Sequence, residues 1–134
     1  MQRDAGYSLL EVMLSSTILA TALLGLAALA NASLLDLAHA HDRFVAAMLA
    51  RDLEGRIALH GEPGDWSETE RSAWRRDLAN RLPQGHGFWC TDGTPDDGHP
   101  GAPACDGSGP LQLKLFWRRG GEVDWQRLHR RLVP

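Results

Sequence analysis

Two cysteines, Cys90 and Cys105, are the only thiols in this chain of 134 residues, and 14 residues lie between them. His86, His99, Asp92, Asp96, Asp97 and Asp106 share the same stretch. Three chemistries are open to such a set. A disulfide is the expected state if the region lies in an oxidising compartment. Closing a loop of this size would contribute about 3 kcal/mol. Zinc has ligands of the right type in His86, Cys90, His99 and Cys105, but their spacing matches no standard zinc pattern. Calcium would suit the four aspartates, yet they lack the ordered spacing of an EF-hand, and a solvated acidic loop is the simpler reading. One further carboxylate is out of place. Glu11 sits at the leading edge of a long apolar run, where an ionisable group costs at least a few kcal/mol and marks a site of function. No nucleophile–base pair, phosphate loop or metal motif is spaced for catalysis, so the chain reads as non-enzymatic, without cofactor or metal.

The apolar run decides what positions these groups. Between Glu11 and Asp36 lie 24 residues without a formal charge. As a helix they extend about 36 Å, enough to cross a hydrocarbon core of about 30 Å. Met1–Gly6 (MQRDAG) holds Arg3 but no apolar segment of its own, and no A-x-A-like site follows, so an ordinary secretory signal is not the reading. Arg3 favours a cytoplasmic leader with everything after Leu35 delivered across the membrane, and Asp4 offsets part of that bias. An uncleaved single-pass anchor or sensor fits the same pattern.

Gly6-Tyr7-Ser8-Leu9-Leu10-Glu11-Val12 resembles the processing motif of type IV pilins and pseudopilins: a glycine, an aromatic residue and a glutamate leading straight into an apolar helix. The usual residue after the glycine is phenylalanine, and here it is Tyr7. The resemblance implies that a prepilin peptidase cuts between Gly6 and Tyr7 and methylates the new Tyr7 amine. It also implies that Glu11 is compensated in a fibre by the amine of a neighbouring subunit. Glu11 snorkelling to water at the cytoplasmic interface is the plainer alternative.

Beyond the membrane the helix is predicted to continue. Leu34, Ala38, His41, Val45, Met48, Leu49, Leu53 and Ile57 recur at three- and four-residue spacing, with Asp36, His39, Arg43, Arg51 and Glu54 opposite. His41 on that stripe reads as a packed, hydrogen-bonded histidine. Asp52 and Arg56 can pair one turn apart. Gly61, Pro63 and Gly64 end the helix. Ser67-Glu68-Thr69-Glu70 reads as a capping box opening a second helix, whose Trp74, Leu78 and Leu82 share one face before Pro83. Gln84 to Pro110 is loop-rich, with a short strand beginning at Phe88 and Trp89. Leu111, Leu113, Leu115 and Trp117 alternate with Gln112 and Lys114, the mark of a half-buried strand. Arg118-Arg119-Gly120-Gly121 supplies a hairpin turn. Val123 and Trp125 start the return strand, and the alternation falters at Arg127-Leu128, which leaves room for a bulge or a strand end there.

The formal net charge of −3 hides a segregation. Residues 62–110 carry nine acids against four arginines, whereas residues 111–134 carry Lys114 and five arginines against two acids. A basic strand region facing an acidic loop region follows, and nucleic-acid binding does not. The expected fold is α+β and pilin-like: a long N-terminal helix, transmembrane then amphipathic, packed on a small head with a second helix and a short antiparallel sheet. The expected divisions are a leader at 1–6, a transmembrane assembly helix at 7–35, its amphipathic continuation at 36–61, and a periplasmic head at 62–134. RFVAAMLARDLEGRI (residues 43–57), the Trp74/Leu78/Leu82-Pro83 pattern and the late strand with Trp117 look similar to the PilV family of minor pilins. That resemblance implies partners among the prepilin peptidase, other minor pilins and the major pilin, an inner-membrane assembly platform and membrane lipid. It further implies residence in the inner membrane and then in a pilus at the cell surface, used for twitching motility and adhesion. A minor pseudopilin of type II secretion has an indistinguishable leader.

Overall fold

The computed structural model describes residues 8–61, 64 and 66–132. It divides into two units, Met1–His39 and Ala40–Pro134. Helix α1, Leu9–His60, contributes to both. Helix α2, Glu68–Arg81, and strands β1 (His86–Thr91), β2 (Leu111–Trp117) and β3 (Gln126–Arg131) belong to the second unit, termed the head below. The long helix, the second helix and the three-stranded antiparallel sheet make a pilin-like α+β fold.

In the first unit α1 carries its large apolar side chains in the open, from Leu9 (81% exposed) through Leu35 (55%). The helix is long and apolar enough to cross a membrane. Three of its hydroxyls bond back to the helix itself. Ser16 donates to the Met13 carbonyl (2.9 Å), Thr17 to that of Leu14 (2.8 Å) and Thr21 to that of Ile18 (2.9 Å). Each is satisfied within one turn, as a lipid-facing helix requires.

In the head, α1 buries Asp42, Ala46, Leu49, Ala50, Leu53 and Ile57. This differs from the expected stripe: His41 and Met48 are exposed, and Asp42 takes the inward register. The reason lies across the fold. Arg119 donates from Nε to Asp42 Oδ2 (2.7 Å) and from a terminal nitrogen to Oδ1 (2.8 Å), a two-pronged pair that lets a carboxylate enter the core. Asp52 and Arg56 pair at 2.8 Å. The helix stops where Gly61 takes φ +83° and donates to the Ile57 carbonyl, while Pro63 lies outside the described residues.

Ser67 and Glu70 form the capping box at the start of α2. The Ser67 hydroxyl and amide hold the Glu70 carboxyl below its usual range. Trp74, Leu78 and Leu82 are buried against Trp89, Leu113, Leu115 and Trp117 of the sheet. The rings of Trp74 and Trp89 meet edge-on at 5.1 Å, and Trp66 lies 6.0 Å from Trp89. Gly87 in β1 makes this close packing possible, because a Cβ there would stand 2.4 Å from the Trp74 ring.

The sheet order is β1-β2-β3, with both pairs antiparallel. Four strand expectations change. Strand β1 begins at His86, two residues before Phe88. Strand β2 is buried on both faces, with Gln112, Lys114 and Phe116 as enclosed as the core side. The loop 92–110 covers that second face, and a sequence pattern alone does not show such a cover. The return strand starts at Gln126, with Val123 fully exposed and Trp125 outside the strand. Trp125 is held instead by Arg118, stacked 4.5 Å above its ring, and by the edge of His86. Register runs unbroken from Gln126 to Arg131, so there is no bulge at Arg127-Leu128.

Candidate functional site

At the N-terminus Ser8 opens α1. Its side chain accepts from the Leu10 amide (3.3 Å) and its carbonyl from the Glu11 amide (2.9 Å). Glu11 thus sits in the first turn, where a carboxylate is favoured by the exposed amides of the helix start. Its carboxylate has no hydrogen-bond or ion-pair partner among the described residues. Gly6 and Tyr7, the expected cleavage and methylation positions, lie outside the described residues.

The second cluster of chemistry-bearing groups is in the head. Cys90 on β1 and Cys105 in the covering loop are joined as a disulfide, with Cα atoms 6.0 Å apart. Their sulfurs therefore bind each other, and the imidazoles are engaged elsewhere: His86 lies against Trp125, and His99 Nδ1 accepts from the Gly101 amide at 3.1 Å. Among the described residues no group of His, Cys, Asp and Glu is arranged to hold a metal ion.

The aspartates of the loop are not simply solvated. Lys114, at the centre of β2 and 1% exposed, pairs with the buried Asp92 and with Asp97 (2.9 Å). It also donates to the carbonyls of Pro103 (2.9 Å) and Ala104 (3.2 Å). The Lys114 hydrogen bond is the main force holding Asp92 below the ordinary carboxylate range, helped by the Thr94 amide. Asp97 is lowered first by the same amine. Burial acts to lower Lys114, but its bonds to Asp92 and Asp97 outweigh that and leave the amine above its usual range. Asp106 is held down by the Ser108 amide and hydroxyl, then by the Gly93 amide. Asp96 faces β3, where His129 Nδ1 approaches its carboxylate at 3.0 Å and Arg127 reaches its carbonyl. Acidic loop and basic strands thus close on one another within the head.

Disulfide and ion cluster fasten one loop from two ends. Cys90→Ser with Cys105→Ser is expected to lower head stability by about 3 kcal/mol in urea unfolding. An unchanged midpoint would show that Lys114 alone secures the loop. The sequence reading missed Lys114 and the Asp42–Arg119 pair. The available signals were an acid in register with Ala46, Leu49 and Leu53, and a lysine amid apolar strand neighbours.

Residues 1–27 match the model of the prokaryotic N-terminal methylation motif. No curated protein and no solved structure matches the chain significantly. The motif is typical of type IV pilins and pseudopilins, which are structural rather than enzymatic, and it implies processing by a prepilin peptidase. With the exposed apolar helix behind it, the motif makes this a pilin-like protein suited to inner-membrane anchoring before assembly.

Proposed function

We propose that the chain is a minor pilin of the PilV type. Residues 1–6 are its leader, removed between Gly6 and Tyr7, after which the Tyr7 amine is methylated. Residues 7–35 hold it in the inner membrane, residues 36–61 continue the helix, and residues 62–134 stand in the periplasm. The assembly platform then draws it, with other minor pilins and the major pilin, into a fibre that it primes or caps. Twitching motility and adhesion depend on that fibre.

One observation supports this reading above the others: the methylation motif opens a helix whose large apolar side chains are all exposed through Leu35, with Glu11 alone at its start. A bare carboxylate at membrane depth is unfavourable. The amine of a neighbouring subunit would compensate it.

The mass of the protein recovered from cells tests the processing. A chain beginning at methylated Tyr7 supports the proposal, and an intact Met1 makes it an unprocessed anchor instead. Glu11→Ala is expected to leave the membrane level unchanged and to lower recovery in sheared fibres about tenfold, the factor that roughly 1.4 kcal/mol carries. Wild-type recovery would remove Glu11 from the mechanism. Neighbouring reading frames separate pilus from secretion system: type II secretion genes beside this one would make it a minor pseudopilin.

A further inference from the structure

Strand β1 lies at an edge of the sheet. In an antiparallel pair, alternate residues direct both backbone groups at the partner strand and the others direct theirs away. The Asp92 amide donates to the Pro110 carbonyl (3.2 Å), which fixes the parity: even-numbered residues of β1 face β2. Gly87, Trp89 and Thr91 therefore turn outward. The Thr91 carbonyl accepts from the Gly107 amide at 3.1 Å. The N–H and C=O groups of Gly87 and Trp89 have no partner among the described residues.

Beside this edge the surface is hollow. One groove of about 460 Å³ runs between α2 and β1, lined by Arg75, Leu78, Ala79 and residues 85–88. A second, of about 130 Å³, shares Arg75, Gly87 and Phe88 and continues to Trp89, Pro103 and Cys105. The floor is thus an open strand edge, the walls are largely apolar, and among the described residues no acid lines either groove. Arg75 stands over the middle with its side chain 59% exposed, and its one carboxylate neighbour among the described residues, Glu68, is loosely placed at 3.9 Å.

We propose that this edge receives an extended acidic segment of a partner protein, which pairs as a fourth strand with Gly87 and Trp89 and sets a carboxylate on Arg75. Main-chain bonds supply affinity in such strand addition, and the flanking walls select the side chains. Charge argues against a second copy of this chain as the occupant. Pairing β1 with β1 would oppose two Arg75 side chains, and pairing β1 with β3 would bring in Arg127, Arg130 and Arg131 with no acid on that strand. The site rests on the head alone and holds whichever fibre the chain joins.

Amide hydrogen exchange by NMR on the full chain in detergent micelles tests the proposal. The probes are a capped peptide of alternating threonine and valine with a central glutamate, and its counterpart with a central lysine. The glutamate peptide is expected to slow exchange at Gly87 and Trp89 about tenfold and to bind about fivefold more tightly than the lysine peptide. Arg75→Glu, an exposed substitution, should reverse that preference. Absence of protection at Gly87 and Trp89 with either peptide, or protection at the β3 edge instead, overturns the site. A preference untouched by Arg75→Glu overturns the acidic assignment.

Discussion

Trp74→Ala is expected to cost the head about 3–5 kcal/mol, the range for deleting a fully buried tryptophan ring. That is a large share of the roughly 5–15 kcal/mol that holds a small domain together, so the variant should be partly unfolded at ambient temperature. Trp74 is 0% exposed, and its ring is the surface on which α2 meets Trp89 and the glycine gap at position 87. Trp74→Phe is the informative companion. The indole N–H is buried without a hydrogen-bond partner among the described residues, an unfavourable state worth about 1–3 kcal/mol. Removing it should offset much of the smaller ring's lost contact, leaving Phe far closer to wild type than Ala. Urea unfolding followed by near-ultraviolet circular dichroism reads both. Equal losses would mean that the N–H is paired after all.

Lys114→Met is the second large effect, and its signature is a change of sign with pH. In the wild type the amine holds Asp92 and Asp97 low, so their pairing stabilises fully above the ordinary carboxylate range, around pH 4, and drains away as pH falls through the lowered values. Lys114 itself is raised, so its contribution is complete below the ordinary lysine value of about 10.4 and is lost as pH climbs through the raised one. The contribution of this cluster should be flat between those limits. In Lys114→Met, Asp92 remains buried with no counter-charge, and burial alone favours its neutral form. The variant is therefore destabilised at neutral pH and gains stability on acidification, opposite to the wild type. Adding Asp92→Leu should restore much of the loss, because an apolar pair replaces a buried ionic one at little net cost. Urea midpoints between pH 3 and 8 test it, and parallel slopes for variant and wild type would refute it.

What the sequence disclosed was mostly local. The Ser67–Glu70 box, the Trp74/Leu78/Leu82 face and the stop at Gly61 each depend on residues within a turn or two. The methylation motif is likewise contiguous. The misplaced features depend on distance along the chain. Asp42 is legible as a core residue only together with Arg119, 77 positions later. The alternation in β2 predicted one wet face, because nothing in residues 111–117 shows that loop 92–110 returns to cover it. Val123 and Trp125 have strand character, but Arg118 and His86 claim Trp125 before the strand begins.

Lys114 is the only lysine among the 134 residues. The chain therefore presents no accessible side-chain amine: its one ε-amino group is protonated, enclosed and shared among two carboxylates and three carbonyls. Acylating reagents and amine-directed cross-linkers find no lysine handle on the folded surface, and attachment through that chemistry falls to the α-amine alone. The same seclusion makes Lys114 a built-in clock, because each acylation event there records a moment when the loop had lifted from the sheet.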